Sequence, residues 1–482
     1  MGILSGLEPE RVLYYFEEYA AIPHGSYDIS AAADYLVAFA EKRGLRSVRD
    51  SYGNVVIFAD GTEGYENSPA VILQAHTDMV CVKAEGVEHD FHKDGLKLAV
   101  DGDMIHANGT TLGGDDGIGV AYMLAILESD TIPHPPLECL FTADEEVGML
   151  GANAFDASIL SGKTMVNLDS EHEGIFTCGC AGGALAELVL PISRASVTGT
   201  PVVVTLEGLK GGHSGEMIAS GRASANKLMG RFLYELSDVV PFSIERISGG
   251  EKDNAIAVSA KAHLVADEDE YAEIEKFAEQ FQAAVRGEMQ GIDDDFVVHI
   301  AKGQPRRFQV LDVSSQDKVI SLLIMMPHGL RKRNGLFPKL AETSTNLGII
   351  RTTDTEFVCG SLPRSAVGSG LRALLHEFKA LAAFAGADFK LSGQYPEWQY
   401  HDESPLKSRM TELYRRMFGK EAVVEVVHGG VECGIFTKKI KGLDVVSIGP
   451  DIIDIHTASE KLSVSSTKRV WEFLLALLAE LK

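Results

Sequence analysis

Short apolar runs and amphipathic stretches alternate through the first 180 residues. Residues 7–20 and 29–43 space their apolar side chains at helical intervals, whereas NVVIFA (54–59) and AVILQA (70–75) are continuous runs of strand length. GIGVAYMLAILES (117–129) reads as a helix, and LECLFTA (137–143) and KTMVNLD (163–169) as strands. Continuously apolar strands interleaved with helices predict a mostly parallel sheet with helices on both faces. The pattern returns near the end, with a helix around 405–418, strands at 423–427 and 442–448, and a helix over 465–482.

Between these blocks the pattern changes. A strand at 202–209, a helix over 217–236, strands at 242–249 and 255–266, a charged helix over 269–285 and a strand at 295–301 follow one another. That order, β-α-β-β-α-β, is the split βαβ layout of an open-faced sandwich, and further elements continue to about 391. The expected fold is therefore α/β. A sheet-and-helix domain built from 1–183 and 394–482 is interrupted by an inserted α+β domain over 184–393.

Length and charge narrow the class. A chain of 482 residues exceeds one usual core, which agrees with two domains. The formal net charge of −25, with no Lys/Arg-rich block, argues against nucleic acid or an anionic membrane as partner. Six cysteines without a paired spacing read as reduced thiols. The opening MGILSGLEPERVLYYF lacks a basic and apolar leader, and no apolar run approaches membrane-spanning length. A cytoplasmic protein is the expectation.

The chemistry lies where the strands end. AVILQA runs into His76 and Asp78, and Asp115 and Asp116 fall in the Gly-rich loop before the 117–129 helix. Asp144, Glu145 and Glu146 follow the third strand, Asp169 ends the fourth, and His456 lies in the loop after the last. Each has an ordinary explanation alone: a helix cap for Asp115, an exposed loop for Glu145 and Glu146, a surface imidazole for His456. Together they fall at the carboxyl edge of the sheet, where open α/β folds form their sites. Carboxylates gathered there repel one another unless a cation neutralises them. Two imidazoles with three or four carboxylates suit two divalent metals, zinc being the natural choice for mixed N/O ligands.

The ordered set AIPHGS, QAHTDMVC, GTTLGGDDGIGVAY, TADEEVGMLGA, NLDSE, GGHSG, HGGVECGIF and DIHTASEKL resembles the co-catalytic di-zinc exopeptidases. Within that clan, which includes aminoacylase and carnosinase, it is most similar to the aminoacyl-histidine dipeptidases (peptidase D, or cytosol non-specific dipeptidase). The resemblance spans essentially the whole chain. It implies that Asp115 bridges two Zn2+ (Mn2+ or Co2+ as substitutes), with His76 and Asp169 on one metal and Glu146 and His456 on the other. It also implies a cis peptide between Asp115 and Asp116. Asp78 would hold the far nitrogen of His76, and Glu145 would be the general base for attack by a metal-bridged hydroxide.

The same resemblance gives the inserted domain a role as a lid and a dimer contact. His213, in GGHSG, would stabilise the oxyanion, acting within its chain or across a homodimer. Arg364 would clamp the substrate carboxylate, suited by its planar fork, and Asn254 would touch substrate. Glu432 is a candidate for the free α-amine, with a structural salt bridge as its alternative. The implied activity is hydrolysis of unblocked dipeptides, Xaa-His such as β-alanyl-histidine and others. An N-acyl amino acid deacylase or small-peptide carboxypeptidase would use the same chemistry. A non-catalytic metal- or peptide-binding relic would have no reason to keep Glu145 beside Glu146.

Overall fold

The computed structural model describes residues 2–482, which fall into two compact units. One is built from residues up to 179 with 400–426 and 431–482, the other from 180–399 with 427–430. The chain passes between units nearer 180 and 400 than the 184 and 393 read from the sequence. The cause is pairing: Cys180 bridges Trp398 and Gly183 lies opposite Tyr395, so both approaches belong to the sheet of the second unit.

The first unit is organised on an eight-stranded sheet. Its order is Arg46–Arg49, Val55–Ala59, Leu137–Thr142, Val71–His76, Thr164–Asn167, Asp444–Ser447, Ile175–Cys180 and Val423–Val427. The middle is parallel: Val71–His76 runs parallel to both neighbours, and Asp444–Ser447 runs parallel to Thr164–Asn167. Val55–Ala59 and Ile175–Cys180 join this centre antiparallel. Every residue of Val71–His76 and Leu137–Thr142 is buried, which accounts for their largely apolar character, while Arg46–Arg49 at the edge is polar and largely exposed.

Helix Gly114–Glu128 is buried from Gly114 to Leu127, so it has no polar face. Its Gly117 leaves room for Phe16 and Tyr19 of helix Glu10–Ala20, whose apolar stripe joins the same core. Helix Ser30–Arg43 ends at Gly44 in the left-handed conformation, the usual glycine stop. A small antiparallel sheet, Ile452–Ile453, Lys461–Ser463, Met104–Ala107 and Leu98–Asp101, pins both ends of the 454–460 loop.

The second unit carries an antiparallel sheet with its own core. Its first four neighbours are Val297–Lys302, Arg194–Glu207, Ala260–Ala266 and Ser243–Gly249. With helices Ala225–Ser237 and Tyr271–Glu288 they make the split βαβ arrangement. The sheet continues through Ala341–Thr352, Glu356–Ser365, Gly182–Pro191 and Asp388–Tyr395.

Two elements differ from the sequence reading. The helix expected over 217–236 is two pieces, Ser214–Met217 and Ala225–Ser237, because Gly221 turns the chain at φ +82°. The strand expected from 255 begins at Ala260, the preceding segment forming instead a bridge between Ala255 and His213. Among the described residues no helix is long and apolar enough to cross a membrane.

Candidate metal centre

The buried Val71–His76 strand delivers His76 to its carboxyl end, 1% exposed. The neighbouring strands deliver the loops of Glu145–Glu146 and of Asp169, and the pinned 454–460 loop delivers His456. Asp115 stands between them at the start of the buried helix, where its peptide bond to Asp116 is cis. Asp115 Oδ1 lies 3.0 Å from His76 Nε2, and its other oxygen, Oδ2, lies 3.1 Å from His456 Nε2. Asp169 Oδ1 approaches His76 Nε2 at 3.5 Å, and Glu146 Oε1 approaches His456 Nε2 at 2.8 Å. His76, Asp115 and Asp169 thus form one group whose donor atoms lie within 4.8 Å of one another, and Asp115, Glu146 and His456 form a second. One carboxylate is shared, one oxygen toward each imidazole. A third grouping, His76 with Glu145 and Glu146, overlaps both.

The electrostatics are those of a site short of positive charge. Burial, with the charges of Asp169, Glu146 and Glu432 behind it and His76 opposing, pushes Glu145 well above the ordinary carboxylate range. Burial also lifts Asp169 to about 6 and Glu171 to about 8. Hydrogen bonds to the carboxylates of Asp115 and Glu146 raise His456 to about 11. Burial works against protonation of His76, yet Asp169, Asp115 and Asp78 hold its pKa well above that of free imidazole. Two imidazoles and three carboxylates in two groups sharing a member suit a pair of divalent cations, so these residues fit the metals inferred from the sequence.

The surroundings fix this geometry. His76 Nδ1 lies 2.9 Å from the backbone carbonyl of Asp78, nearer than the 3.5 Å to the Asp78 carboxylate. That carboxylate accepts the Glu145 N–H at 2.8 Å, the Glu146 N–H at 3.3 Å and the Ser26 hydroxyl at 2.8 Å. Asp78 therefore holds the Glu145–Glu146 turn as well as sitting beside His76. Asp116 accepts the N–H groups of His76 and Gly119 at 3.2 and 3.1 Å, and Asp144 accepts the Tyr27 N–H at 2.6 Å. Asp144 and His456 both have left-handed backbone, φ +52° and +61°, an uncommon conformation for such residues that clusters at functional sites.

Residues 72–480 match peptidase family M20/M25/M40, a span that takes in His76, Asp115, Glu145, Glu146, Asp169 and His456. The chain belongs to that family. It is 35% identical to the cytosol non-specific dipeptidase of Escherichia coli strain K12, over 100% of this chain and 99% of that protein. The crystal structure of the aminoacylhistidine dipeptidase from Vibrio alginolyticus is 35% identical, with a TM-score of 0.88 over 98% of this chain and 97% of that one. A tripeptidase structure from Staphylococcus aureus, 16% identical, shares the fold at a TM-score of 0.57 over 98% and 99% of the two chains. The peptidase is thus an enzyme acting on peptide bonds.

The second unit of the peptidase gathers other residues singled out in the sequence. Exposed His213 starts the Ser214–Met217 turn, and the backbone carbonyl of Asn254 accepts the Ser214 N–H at 2.8 Å. A Cβ added at Gly215 would lie 2.9 Å from His213 Cε1 and 3.3 Å from the His428 carbonyl, so these residues flank one glycine. Arg364 is 5% exposed; its Nη1 donates to Tyr395 at 2.8 Å and to that same carbonyl at 3.4 Å. Among the described residues, Arg364 Nε and His428 Nδ1 are buried without a hydrogen-bond partner.

Glu432, read from the sequence as a candidate for the free α-amine or a structural salt bridge, keeps one carboxylate oxygen, Oε1, buried with no hydrogen-bond partner among the described residues. It is fully enclosed in the first unit, and its Oε2 accepts from Gln74 Nε2 at 2.7 Å and Thr142 Oγ1 at 2.6 Å, so it braces the ends of two central strands. Its carboxyl is pushed by burial up to about 8. Ser26, Asn54 and Glu460 also hold site loops, and the sequence reading gave them no role. Asn54 accepts the Ala143 N–H at 2.9 Å and donates to the Gly151 carbonyl at 3.0 Å, bracketing the loop of Glu145. Ser26 and Glu460 lie inside quoted motifs, AIPHGS and DIHTASEKL; only their partners, remote in the chain, reveal the task.

Proposed function

We propose that this peptidase is a cytoplasmic metallo-dipeptidase that hydrolyses unblocked dipeptides, Xaa-His among them, with two divalent cations, zinc by preference. The observation that carries the reading is Asp115, whose two oxygens face two different imidazoles. Asp115 would serve both cations, His76 and Asp169 one, and Glu146 and His456 the other. Bound there, such cations supply Lewis acidity that polarises the scissile carbonyl and lowers the pKa of an attacking water. The names of the two relatives at 35% identity support a dipeptide substrate.

Glu145 is assigned the proton transfers. Its backbone is held by Asp78, and it belongs to a candidate donor group while being outside the two that share Asp115. As the water oxygen bonds to the carbonyl carbon, Glu145 takes the water proton; as the C–N bond breaks, it returns that proton to the leaving amine. His213 donates to the oxyanion. Arg364, whose Nε has no partner among the described residues, receives the substrate carboxylate, and Asn254 touches the substrate. Free thiols at all six cysteines accord with a reducing compartment. A homodimer through the second unit is part of the reading.

The test is metal-titrated hydrolysis of β-alanyl-histidine, Gly-His, Leu-Leu, a tripeptide and an acetylated dipeptide. Cleavage of the free dipeptides is expected. Preference for the acetylated or longer substrates would move the assignment to a deacylase or small-peptide carboxypeptidase. Mixing His213→Ala with Glu145→Ala chains tests the dimer: regained activity places His213 across the two chains, and none places it within one.

A further inference from the structure

Glu460 lies four residues after His456 and is 3% exposed. Its Oε2 accepts the N–H groups of Leu112 at 2.7 Å and Gly113 at 3.2 Å, and its Oε1 accepts those of Gly114 at 2.8 Å and Asp115 at 3.4 Å. Among the described residues no cation pairs with it; four consecutive backbone donors take that place. The donors converge because Gly113 is left-handed, at φ +65°, just before the helix begins. A concave run of N–H groups at a helix start is a natural anion cradle. Here the anion is a side chain of the same protein. Gly114 is part of the fit, since a Cβ there would sit 3.2 Å from Glu460 Oε1.

The clamp joins two segments remote in sequence. One carries Asp115; the other is the 454–460 loop that carries His456, its ends fixed by the pairing of Ile452–Ile453 with Lys461–Ser463. Lys461 lies opposite His106, so the strand leading into the Gly-rich loop is already alongside. The sheet sets the two segments roughly side by side. Glu460 sets their final separation where Asp115 Oδ2 and His456 Nε2 stand 3.1 Å apart.

We propose that Glu460 is a positioning residue of the metal centre: by tying the backbone of Asp115 to the loop of His456, it aims the two oxygens of Asp115 at two separate cations. This rests on the ligand assignment of the preceding subsection. The test uses the full-length protein loaded with Co2+, and compares Glu460→Gln with wild type and with Asp115→Ala as the ligand control. A carboxamide keeps the size of Glu460 but turns one acceptor into a donor facing N–H groups. Expected for Glu460→Gln are a fall of about 10–100-fold in affinity for at least one Co2+, an altered visible spectrum of bound Co2+, and a lower kcat with little change in KM.

A lowered melting temperature with wild-type Co2+ affinity and spectrum would overturn the proposal, because Glu460 would then serve the fold alone. Should Glu460→Gln fail to fold, Gly114→Ala decides, as its methyl presses on Oε1 while the carboxylate stays. Unchanged Co2+ binding and spectrum in that variant would equally overturn it. Asp115→Ala separates the two levels: two ions bound at wild-type affinity there would sink the ligand assignment and this proposal with it, whereas failure confined to Glu460 and Gly114 variants sinks the clamp alone.

Discussion

Asp78 shows how much one side chain can be asked to hold. Its carboxylate reaches 67 and 68 positions along the chain to the N–H groups of Glu145 and Glu146, besides lying next to His76. Asp78→Asn should therefore disturb an imidazole and a proton-transfer group together. We expect losses of about 10–100-fold in metal affinity or activity, read by chelator competition and kcat/KM; a neutral result would reduce the residue to a strand cap. Glu145→Gln should behave differently. The metal content should stay at wild type while kcat falls about 10²–10⁴-fold, and normal turnover would remove Glu145 from the chemistry. The HxD spacing and the EE pair made both residues visible in the sequence because the cue is local. The contacts that Asp78, Ser26 and Glu460 make are not local, and no short pattern announces them.

At the level of elements, the carboxyl edge of the sheet was legible because largely apolar strands followed by His, Asp or Glu are unusual. What supports that edge was not. Gln74 sits inside the Val71–His76 strand, 0% exposed, donating to Glu432 Oε2 at 2.7 Å while its own Oε1 accepts from Asn167 at 2.6 Å. The pattern reads AVILQA as one continuous run and passes over Gln74; the fold uses it to tie three segments beneath the donors. Two variants of Glu432 separate bracing from substrate binding. Glu432→Leu removes the acceptor for Gln74 and Thr142, and should cost about 1–3 kcal/mol of stability by leaving buried donors unmet, measurable by denaturant titration. Glu432→Gln keeps an acceptor and should leave KM for free dipeptides unchanged. A rise in KM of about 10–100-fold, the loss of a charge-assisted contact, would return Glu432 to the α-amine of the substrate.

At the scale of the whole molecule, the change of pattern near 184 marked an insertion, but the motif HGGVECG hid a boundary within itself: residues 427–430 belong to the second unit and Glu432 to the first. No composition shift accompanies that crossing, so only the packed chain reveals it. The same packing buries carboxylates in the first unit without cations to balance them, and stability should register this. Burial raises Glu171 and Glu432 to about 8, far above the range of an unfolded chain. Between roughly pH 4.5 and 8 the metal-free native state then holds protons that the unfolded state has released. Stability is full below the unfolded pKa values and falls as pH rises through the folded ones. His456, raised to about 11, extends the same trend upward, while Asp115 and Asp78, held below the usual carboxylate range, oppose it only at the acid end. Bound divalent cations would take over from these protons, so the metal-loaded protein should lose far less between pH 5 and 8. Thermal unfolding of chelator-treated and reloaded protein across that range checks this. Parallel pH profiles would mean that cations do not occupy this cluster, and equal stability of the chelated protein at both ends of the range would mean that its carboxylates are not held neutral by burial.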